Sequence, residues 1–389
     1  MMGKYGLLMY KDTANLGDDI QSYAVYRHLP KVDYLIDREA ISSFCPEKKE
    51  SVKVVMNGWF NHNKDEFLIS PYIDPLFISM HFTANDLILK PGYTFLTGYA
   101  KEIMEKYKIG CRDKNTNELL KSLGYKNTYF SSCLTTTIDP IGEKKDEGYI
   151  VAVDMKPQIV DYLKNITGKK VIETTHWLFI KDGTPYEEKI KKINAYDKST
   201  DEKRKNFVKE HSELSIEERM KIVEKQLKLY QNASLVVTDR IHVGLPCLGL
   251  NTNVLLIFYD YNADRIETFK EFLTNCTEDE FYQMTKEQLL SIKNSNHYQK
   301  YRENLEKTVE EFIKEKSKVD LLLPDIDVFK NIILKRENYK KELYIEKIQA
   351  LENENKKMKK DFDYYQKVKN SKSFKILNKI YQKKAQKNK

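Results

Sequence analysis

The sequence lacks most of the features that would place a protein outside the cell or within a membrane. Its five cysteines, at 45, 111, 133, 247 and 276, are odd in number, and none forms a CxxC pair. That excludes a disulfide framework and a zinc-finger spacing. Cysteines set among apolar or small residues read instead as the reduced core thiols of a cytosolic protein. No apolar run reaches the roughly 18 residues of a membrane-spanning helix. Met1-Met2-Gly3-Lys4-Tyr5-Gly6-Leu7-Leu8 has no long apolar stretch of the kind a signal peptide needs. No cluster of His, Cys, Asp and Glu has metal-ligand spacing, so neither a metal nor a cofactor is expected. A basic excess is missing from most of the chain as well. The whole sequence carries +8, but residues 335–389 hold 18 Lys and Arg against 7 Asp and Glu, a surplus of 11, which leaves residues 1–334 at −3. Nothing in that body points to nucleic-acid binding.

What is present is a long chain of 389 residues, 41% hydrophobic, with 26 Tyr and 17 Phe. That is too long for one ordinary core, so two domains are expected. Gly6–Tyr10 reads as a buried strand, Asp12–Gly17 as a polar loop, and Asp18–Leu29 as a helix with Ile20, Tyr23 and Ala24 at helical spacing. Further strands are expected at Val32–Ile36, Val52–Met56, Leu76–Met80 and Lys108–Cys111. A helix near Asn115–Leu123 follows the last of these, with Gly124 at its C-terminal cap. The charged, turn-rich stretch Asp139–Gly148 reads as a domain boundary. Beyond it, strands are expected at Tyr149–Val153 and Lys170–Glu173. Then come a helix Ser215–Gln231 opened by a Ser215/Glu218 capping box, a strand Leu235–Thr238, a helix His242–Leu250 and a strand Val254–Tyr259. Repeated strand–helix–strand units predict the α/β class, with two Rossmann-like doubly wound domains, residues 1–140 and 148–330, facing a cleft.

The last part of the chain is different. Tyr344, Ile348, Leu351, Asn355, Met358, Phe362 and Tyr365 alternate by four and three residues, which reads as a coiled-coil helix over residues 335–370. Asn355 falls at an a position, a device that fixes register in dimers, so a homodimer is the expectation and a lone solvated helix the alternative. Residues 371–389 form a basic amphipathic tail with Phe374, Ile376, Leu377, Ile380 and Tyr381 among lysines. It reads either as a peripheral contact on an anionic membrane surface or as a solvated end.

Three strand–helix junctions hold residues suited to chemistry. In Thr13-Ala14-Asn15-Leu16-Gly17-Asp18, Gly17 permits a tight backbone and the following helix points free N–H groups outward, able to hold an anion or sugar hydroxyls. The alternative is a plain cap formed by Asp18. In Ile109-Gly110-Cys111-Arg112-Asp113, Arg112 can clamp a carboxylate or phosphate, or simply pair with Asp113 or Glu118. In Leu235-Val236-Val237-Thr238-Asp239-Arg240-Ile241-His242, a buried strand ends abruptly in polar and charged residues, a costly placement unless they face a site. Arg240 suits anionic oxygens, His242 titrates near neutrality and can act as acid or base, and Asp239 either orients them or caps the next helix.

The stretch Tyr230-Gln231-Asn232-Ala233-Ser234-Leu235-Val236-Val237-Thr238-Asp239-Arg240-Ile241-His242 resembles the pattern Tyr-x-x-Ala-x-Leu-Val-Val-Thr-x-Arg-x-His of the polysaccharide pyruvyl transferase family. The resemblance extends to Asn15-Leu16-Gly17-Asp18, Asn57-Gly58-Trp59-Phe60, Gly110-Cys111-Arg112-Asp113 and Ser132-Cys133-Leu134-Thr135, in the family's order over about residues 5–260. It implies a GT-B-like architecture with the first domain on the acceptor side and the second on the donor side. It also implies transfer of the pyruvyl group of phosphoenolpyruvate onto two hydroxyls of a sugar, giving a cyclic ketal. The sugar would belong to a cell-surface polysaccharide, often on a lipid-linked oligosaccharide at the cytoplasmic face of the membrane. Carried over by motif, Arg112, Arg240 and His242 become donor-site residues, with Thr238 beside them and His242 and Arg240 catalytic.

That chemistry agrees with the residue types. A donor bearing a carboxylate and a phosphate needs fixed positive charge, which Arg112 and Arg240 supply. His242 would be the acid, or would support phosphate departure. Asn15, Gly17, Asp18, Trp59, His81 and His176 are further residues for the acceptor or the cleft, each with a structural role as the alternative. Competing readings are a nucleotide-sugar glycosyltransferase, for which no acidic ribose-binding signature is evident, and a non-catalytic scaffold in polysaccharide assembly.

Overall fold

The computed structural model describes residues 3–48, 50–60, 69–83, 96, 98–181, 183–197, 202–259, 266–316 and 326–376. The chain divides into two units, Met1–Leu323 and Pro324–Lys389.

The first unit contains two wholly parallel sheets among its described residues. Six strands make the first: β1 (Lys4–Met9), β2 (Tyr34–Asp37), β3 (Val52–Trp59), β4 (Ile73–His81), β5 (Ile109–Cys111) and β6 (Thr128–Phe130), in the order β2-β1-β3-β4-β5-β6. Five make the second: β7 (Ile150–Val153), β8 (Val171–Thr174), β9 (Leu235–Thr238), β10 (Val254–Phe258) and β11 (Thr274–Thr277), in the order β11-β10-β9-β7-β8. The helices that matter here are α1 (Leu16–Tyr26), α2 (Gly98–Met104), α3 (Lys114–Ser122), α4 (Pro157–Thr167), α5 (Tyr186–Asp197), α6 (Glu202–Glu213), α7 (Ile216–Gln231) and α8 (Ile241–Gly249). The α/β class read from the sequence is what the chain adopts. Asp139–Gly148 is the irregular connection that carries the chain from the first sheet to the second.

Strand alternation explains the packing. Leu7 and Met9 of β1, Val55 of β3, Val151 and Val153 of β7, Val236 of β9 and Leu256 of β10 all enter one buried cluster together with α1, α7 and α8. Their neighbours turn the other way. Leu8, Val54 and Met56 join a cluster belonging to the first sheet alone. Ile150, Ala152, Val237, Leu255 and Ile257 join one belonging to the second. The two sheets therefore share a middle layer of helices.

Local sequence sets several helix ends. The Ser215/Glu218 capping box is formed as expected. Gly124 takes the left-handed conformation (φ +81°) just past α3. α8 is buried along all nine residues, in keeping with its apolar composition. Its last residue, Gly249, lies directly on the carbonyl oxygens of Ile138 and Thr136, where a side chain would collide.

The second unit is a single 45-residue helix, Ile326–Asn370, followed by a short helical turn that is described as far as Ile376. It begins ahead of the Lys335 expected from the sequence, and a two-stranded coil is not part of the single chain. Residues 377–389 of the basic tail lie outside the described residues.

Candidate functional site

In each sheet one strand sits between its two successors. β1 is flanked by β2 and β3, and β7 by β8 and β9. Connections leave in opposite directions at these points, opening a crevice beyond the carboxyl ends of the strands. The two crevices are tied together by main-chain bonds. Leu16 N donates to His176 O (2.9 Å), and Leu178 N donates to Ala14 O (2.9 Å). Asn15 and Trp177 form an antiparallel bridge between them. The Asn15 side chain meanwhile caps α1, accepting from Gly17 N at 3.0 Å.

Arg112, just after β5 of the first sheet, and His242, in α8 after β9 of the second, meet at this seam. Arg112 follows β5 directly and is 1% exposed. Its Nη1 lies 3.4 Å from His242 Nε2. Arginine can only donate, so Nε2 is the acceptor in this contact. Burial pulls the Arg112 pKa below its ordinary value, against the opposing pull of Asp113. Asp113 caps α3 by accepting from Thr116 N at 2.8 Å, and its Oδ2 lies 2.6 Å from His81 Nδ1. Burial works to raise the Asp113 pKa, but His81, Arg112 and the Thr116 N–H outweigh it and hold the carboxyl at about 2. Gly17 completes the contact from the first sheet's side. A Cβ there would lie 3.2 Å from His242 Cβ and Nδ1, so glycine lets the start of α1 press against the imidazole.

Arg240 is placed by the second sheet. It occupies the N-cap of α8 without capping through its side chain, so the positive end of that helix faces the crevice. Its main-chain N–H donates to Thr238 Oγ1 (3.1 Å), and Thr238 donates to Val153 O (3.3 Å). Its Nε donates to Asp154 Oδ2, and its guanidinium carbon lies 5.2 Å from the Trp177 ring centre. Asp154 also accepts from Thr175 Oγ1 (2.6 Å), His176 N (3.1 Å) and Lys189 Nζ of α5. It stands in the left-handed region (φ +57°) directly after β7. Burial alone would raise its pKa, yet Arg240 and Lys189 draw it far below the usual carboxylate range.

A third arginine was not singled out from the sequence. Arg38 directly follows β2, is buried, and donates to Asp18 Oδ1 (3.1 Å) and Glu39 Oε1 (3.1 Å). Its guanidinium stacks on Tyr10, 4.4 Å from the ring centre. Asp18 also accepts from Thr13 Oγ1 at 2.7 Å. The field of Asp18 and Arg38 reaches Arg112. Three arginines at strand ends thus each stand beside an aspartate: Arg38 with Asp18, Arg112 with Asp113, and Arg240 with Asp154.

Several polar atoms here have no hydrogen-bond partner among the described residues. They are Arg38 Nη2, Arg112 Nε, Ser132 Oγ and His176 Nδ1, lying just beyond β2, β5, β6 and β8 respectively. Buried polar atoms are nearly always paired, so unpaired ones at strand ends are groups a polar ligand can satisfy.

The other residues read from the sequence are distributed around this seam. His81 ends β4 and is held by Asp113 and Thr116. Trp59 ends β3, with its indole N–H donating to Thr83 Oγ1 at 3.1 Å. His176 is 1% exposed and bonded through Nε2 to the Tyr230 hydroxyl at 2.8 Å. Burial, with Arg240 nearby, pushes its pKa down to about 3, so this ring is neutral. Of the residues missed, Arg38 and Asp154 carry a sequence signal of the kind that marked Arg112 and Arg240: a charged residue directly after an apolar strand. Lys189 carries none, because only the fold brings α5 to Asp154.

A cavity of about 460 Å³ lies beside Asp154, lined also by Thr175, Tyr186 and Lys189. A larger one of about 630 Å³, lined by Phe77, Tyr107 and Tyr301, holds none of the motif residues. Among the described residues no group of three or more His, Cys, Asp or Glu is arranged to hold a metal. No described helix is long and apolar enough to cross a membrane.

Residues 15–261 match the family model of the polysaccharide pyruvyl transferases. No curated protein matches the chain. Among solved structures, it is similar to a protein of uncharacterised function from Klebsiella pneumoniae (12% identity, 69% of this chain and 88% of that one, TM-score 0.37). It is also similar to the UDP-GlcNAc 2-epimerase of Methanocaldococcus jannaschii (13% identity, 76% of this chain and 95% of that one, TM-score 0.39). A third likeness is to MnaA of S. aureus in a structure with UDP (10% identity, 78% of this chain and 98% of that one, TM-score 0.37). These scores are too low for the likenesses to bear on substrate or mechanism.

Proposed function

Because this chain belongs to the polysaccharide pyruvyl transferase family, we propose that it moves the pyruvyl group of phosphoenolpyruvate onto two hydroxyls of one sugar. The product is a cyclic ketal on a cell-surface polysaccharide precursor, free or as a lipid-linked oligosaccharide. The observation that carries this reading is the meeting of Arg112 and His242, which follow strands of different sheets, with Arg112 Nε buried and without a hydrogen-bond partner among the described residues. In a GT-B-like arrangement the first domain serves the acceptor and the second the donor, with Arg112 and Arg38 of the first domain reaching the donor from across the seam. The enzyme works in the cytoplasm, at most touching the membrane from its inner side.

The donor is a trianion, and the arginines suit its planar carboxylate and its tetrahedral phosphate. Phosphate lodged between Arg112 and His242 replaces a donor–acceptor contact with two donors on one anion. His242 Nε2 then carries a proton. In the reaction, C3 of the enol ester gains a proton and becomes a methyl group. One sugar hydroxyl adds to C2 and the second displaces phosphate from the same carbon. Two protons leave the hydroxyls; one balances that gained by C3 and the other leaves with phosphate. His242 supplies the proton at C3 or to the departing phosphate, an assistance typically worth about 10²–10⁴ in rate.

Calorimetry tests the donor directly, comparing phosphoenolpyruvate with a panel of nucleotide sugars, with and without acceptor sugars. Saturable binding of phosphoenolpyruvate, lost in Arg240→Ala and weakened in Arg112→Lys, is the expected result. Binding of a nucleotide sugar in its place would overturn the reading.

A further inference from the structure

The helix of the second unit carries an exposed apolar seam. All side chains from Leu351 to Tyr365 are exposed. At roughly 1.5 Å per residue, the helix Ile326–Asn370 is about 67 Å long. Along it Ile348, Leu351, Met358, Phe362 and Tyr365 are between 51% and 58% exposed. They recur by three and four residues, with Asn355 completing the series, so Ile348, Asn355 and Phe362 hold a positions and Leu351, Met358 and Tyr365 hold d positions. Asn353, Lys356, Lys357, Lys360 and Asp363 occupy the outer b, c and f positions and form a solvated face.

We propose that this seam is covered by the same seam of a second copy, parallel and in register, as a two-stranded coiled coil. A seam that repeats every 3.5 residues is self-complementary when two copies wind around each other in a shallow left-handed supercoil. Asn355 selects the alignment. In register, each Asn355 meets its own counterpart and the two amides hydrogen-bond, whereas any slip buries an amide against apolar side chains. The flanking charges select the same arrangement. Glu354 stands at g and Lys359 at the following e, the two positions that face each other across a parallel pair, so the dimer gains this ion pair twice.

Sedimentation equilibrium on the full chain is expected to give twice the 46.0 kDa chain mass at micromolar concentration. Leu351→Glu with Met358→Glu is expected to return it to one-copy mass while leaving the near-ultraviolet spectrum of the sheets unchanged. A one-copy mass for the unaltered chain, a three-copy mass, or a double variant that stays dimeric would each overturn the proposal. Orientation is read from spin labels at the f positions Asn353 and Lys367, one at a time, in a Cys45→Ser background. Parallel, in-register helices give short distances at both sites; an antiparallel pair leaves at least one of them about 20 Å or longer and would refute the alignment.

Discussion

Arg240 reaches back from the start of α8 to Asp154 at the end of β7, so that two strand ends of one sheet are joined by a partly buried charge pair. Asp154 serves Lys189 at the same time. Asn in its place tolerates the left-handed backbone and removes only the charge. Asp154→Asn is expected to cost roughly 3 kcal/mol, since it leaves the largely buried Lys189 ammonium uncompensated. Adding Lys189→Met should recover much of the loss in urea denaturation. Simple additivity of the two changes would sink the argument.

Arg38 is expected to contribute to donor binding through its unpaired Nη2. Lysine at this position keeps the charge beside Asp18 but lacks the second amino group. Arg38→Lys should raise the KM for the donor several-fold, about 1 kcal/mol, with kcat near that of the unaltered enzyme and a melting temperature lowered by the loss of the Glu39 bond and the Tyr10 stacking. An unchanged KM would assign Arg38 to structure alone.

The pH dependence follows from Asp113. Its folded pKa of about 2 lies below the ordinary 3.8. The folded state therefore binds fewer protons than the unfolded chain in this range, and stability is present well above pH 4 and lost as pH falls toward 2. The shift corresponds to about 2 kcal/mol. Asp113→Asn should remove that stability at neutral pH, and the gap to the unaltered chain should narrow as acid is added. A constant gap between pH 6 and pH 2.5 would contradict the assignment.

Gly249 is held against two carbonyl oxygens, those of Ile138 and Thr136. Gly249→Ala should destabilise the first unit by about 1–3 kcal/mol, as overpacking does. Differential scanning calorimetry will show it as a lowered melting temperature. An unchanged midpoint would mean that the Leu134–Thr137 turn yields freely.

The parts of the fold that could be read from sequence were those with a local cause. Leu235–Thr238 is a strand because a β-branched apolar run stops at a charged residue, and α7 starts where Ser215 and Glu218 cap each other. The strands β6 (Thr-Tyr-Phe) and β11 (Thr-Asn-Cys-Thr) left little trace. Edge strands of three or four residues need only one apolar face, and half their positions are polar. In the site, Arg112, Arg240 and His242 stood out because charge at the end of a buried strand is costly. That His242 meets Arg112 and that Arg240 turns to Asp154 depends on how the two sheets are brought together, which no local pattern encodes. His176 carried the same outward signal, yet its ring is shut in against Tyr230.

The middle layer that both sheets share has a consequence for biosynthesis. One face of the first sheet, with Leu7, Met9, Val55 and Ile78, packs against α1 and residues 134–138, and that layer is completed by α7, α8 and the second sheet, all of which follow Gly148. While the ribosome is still making the second half, the outer side of that layer stands open to water and to other nascent chains. The first half is therefore not a separable folding module. A chain halted near residue 148 should be claimed by chaperones or proteases, and neither sheet should be recoverable by expressing it alone.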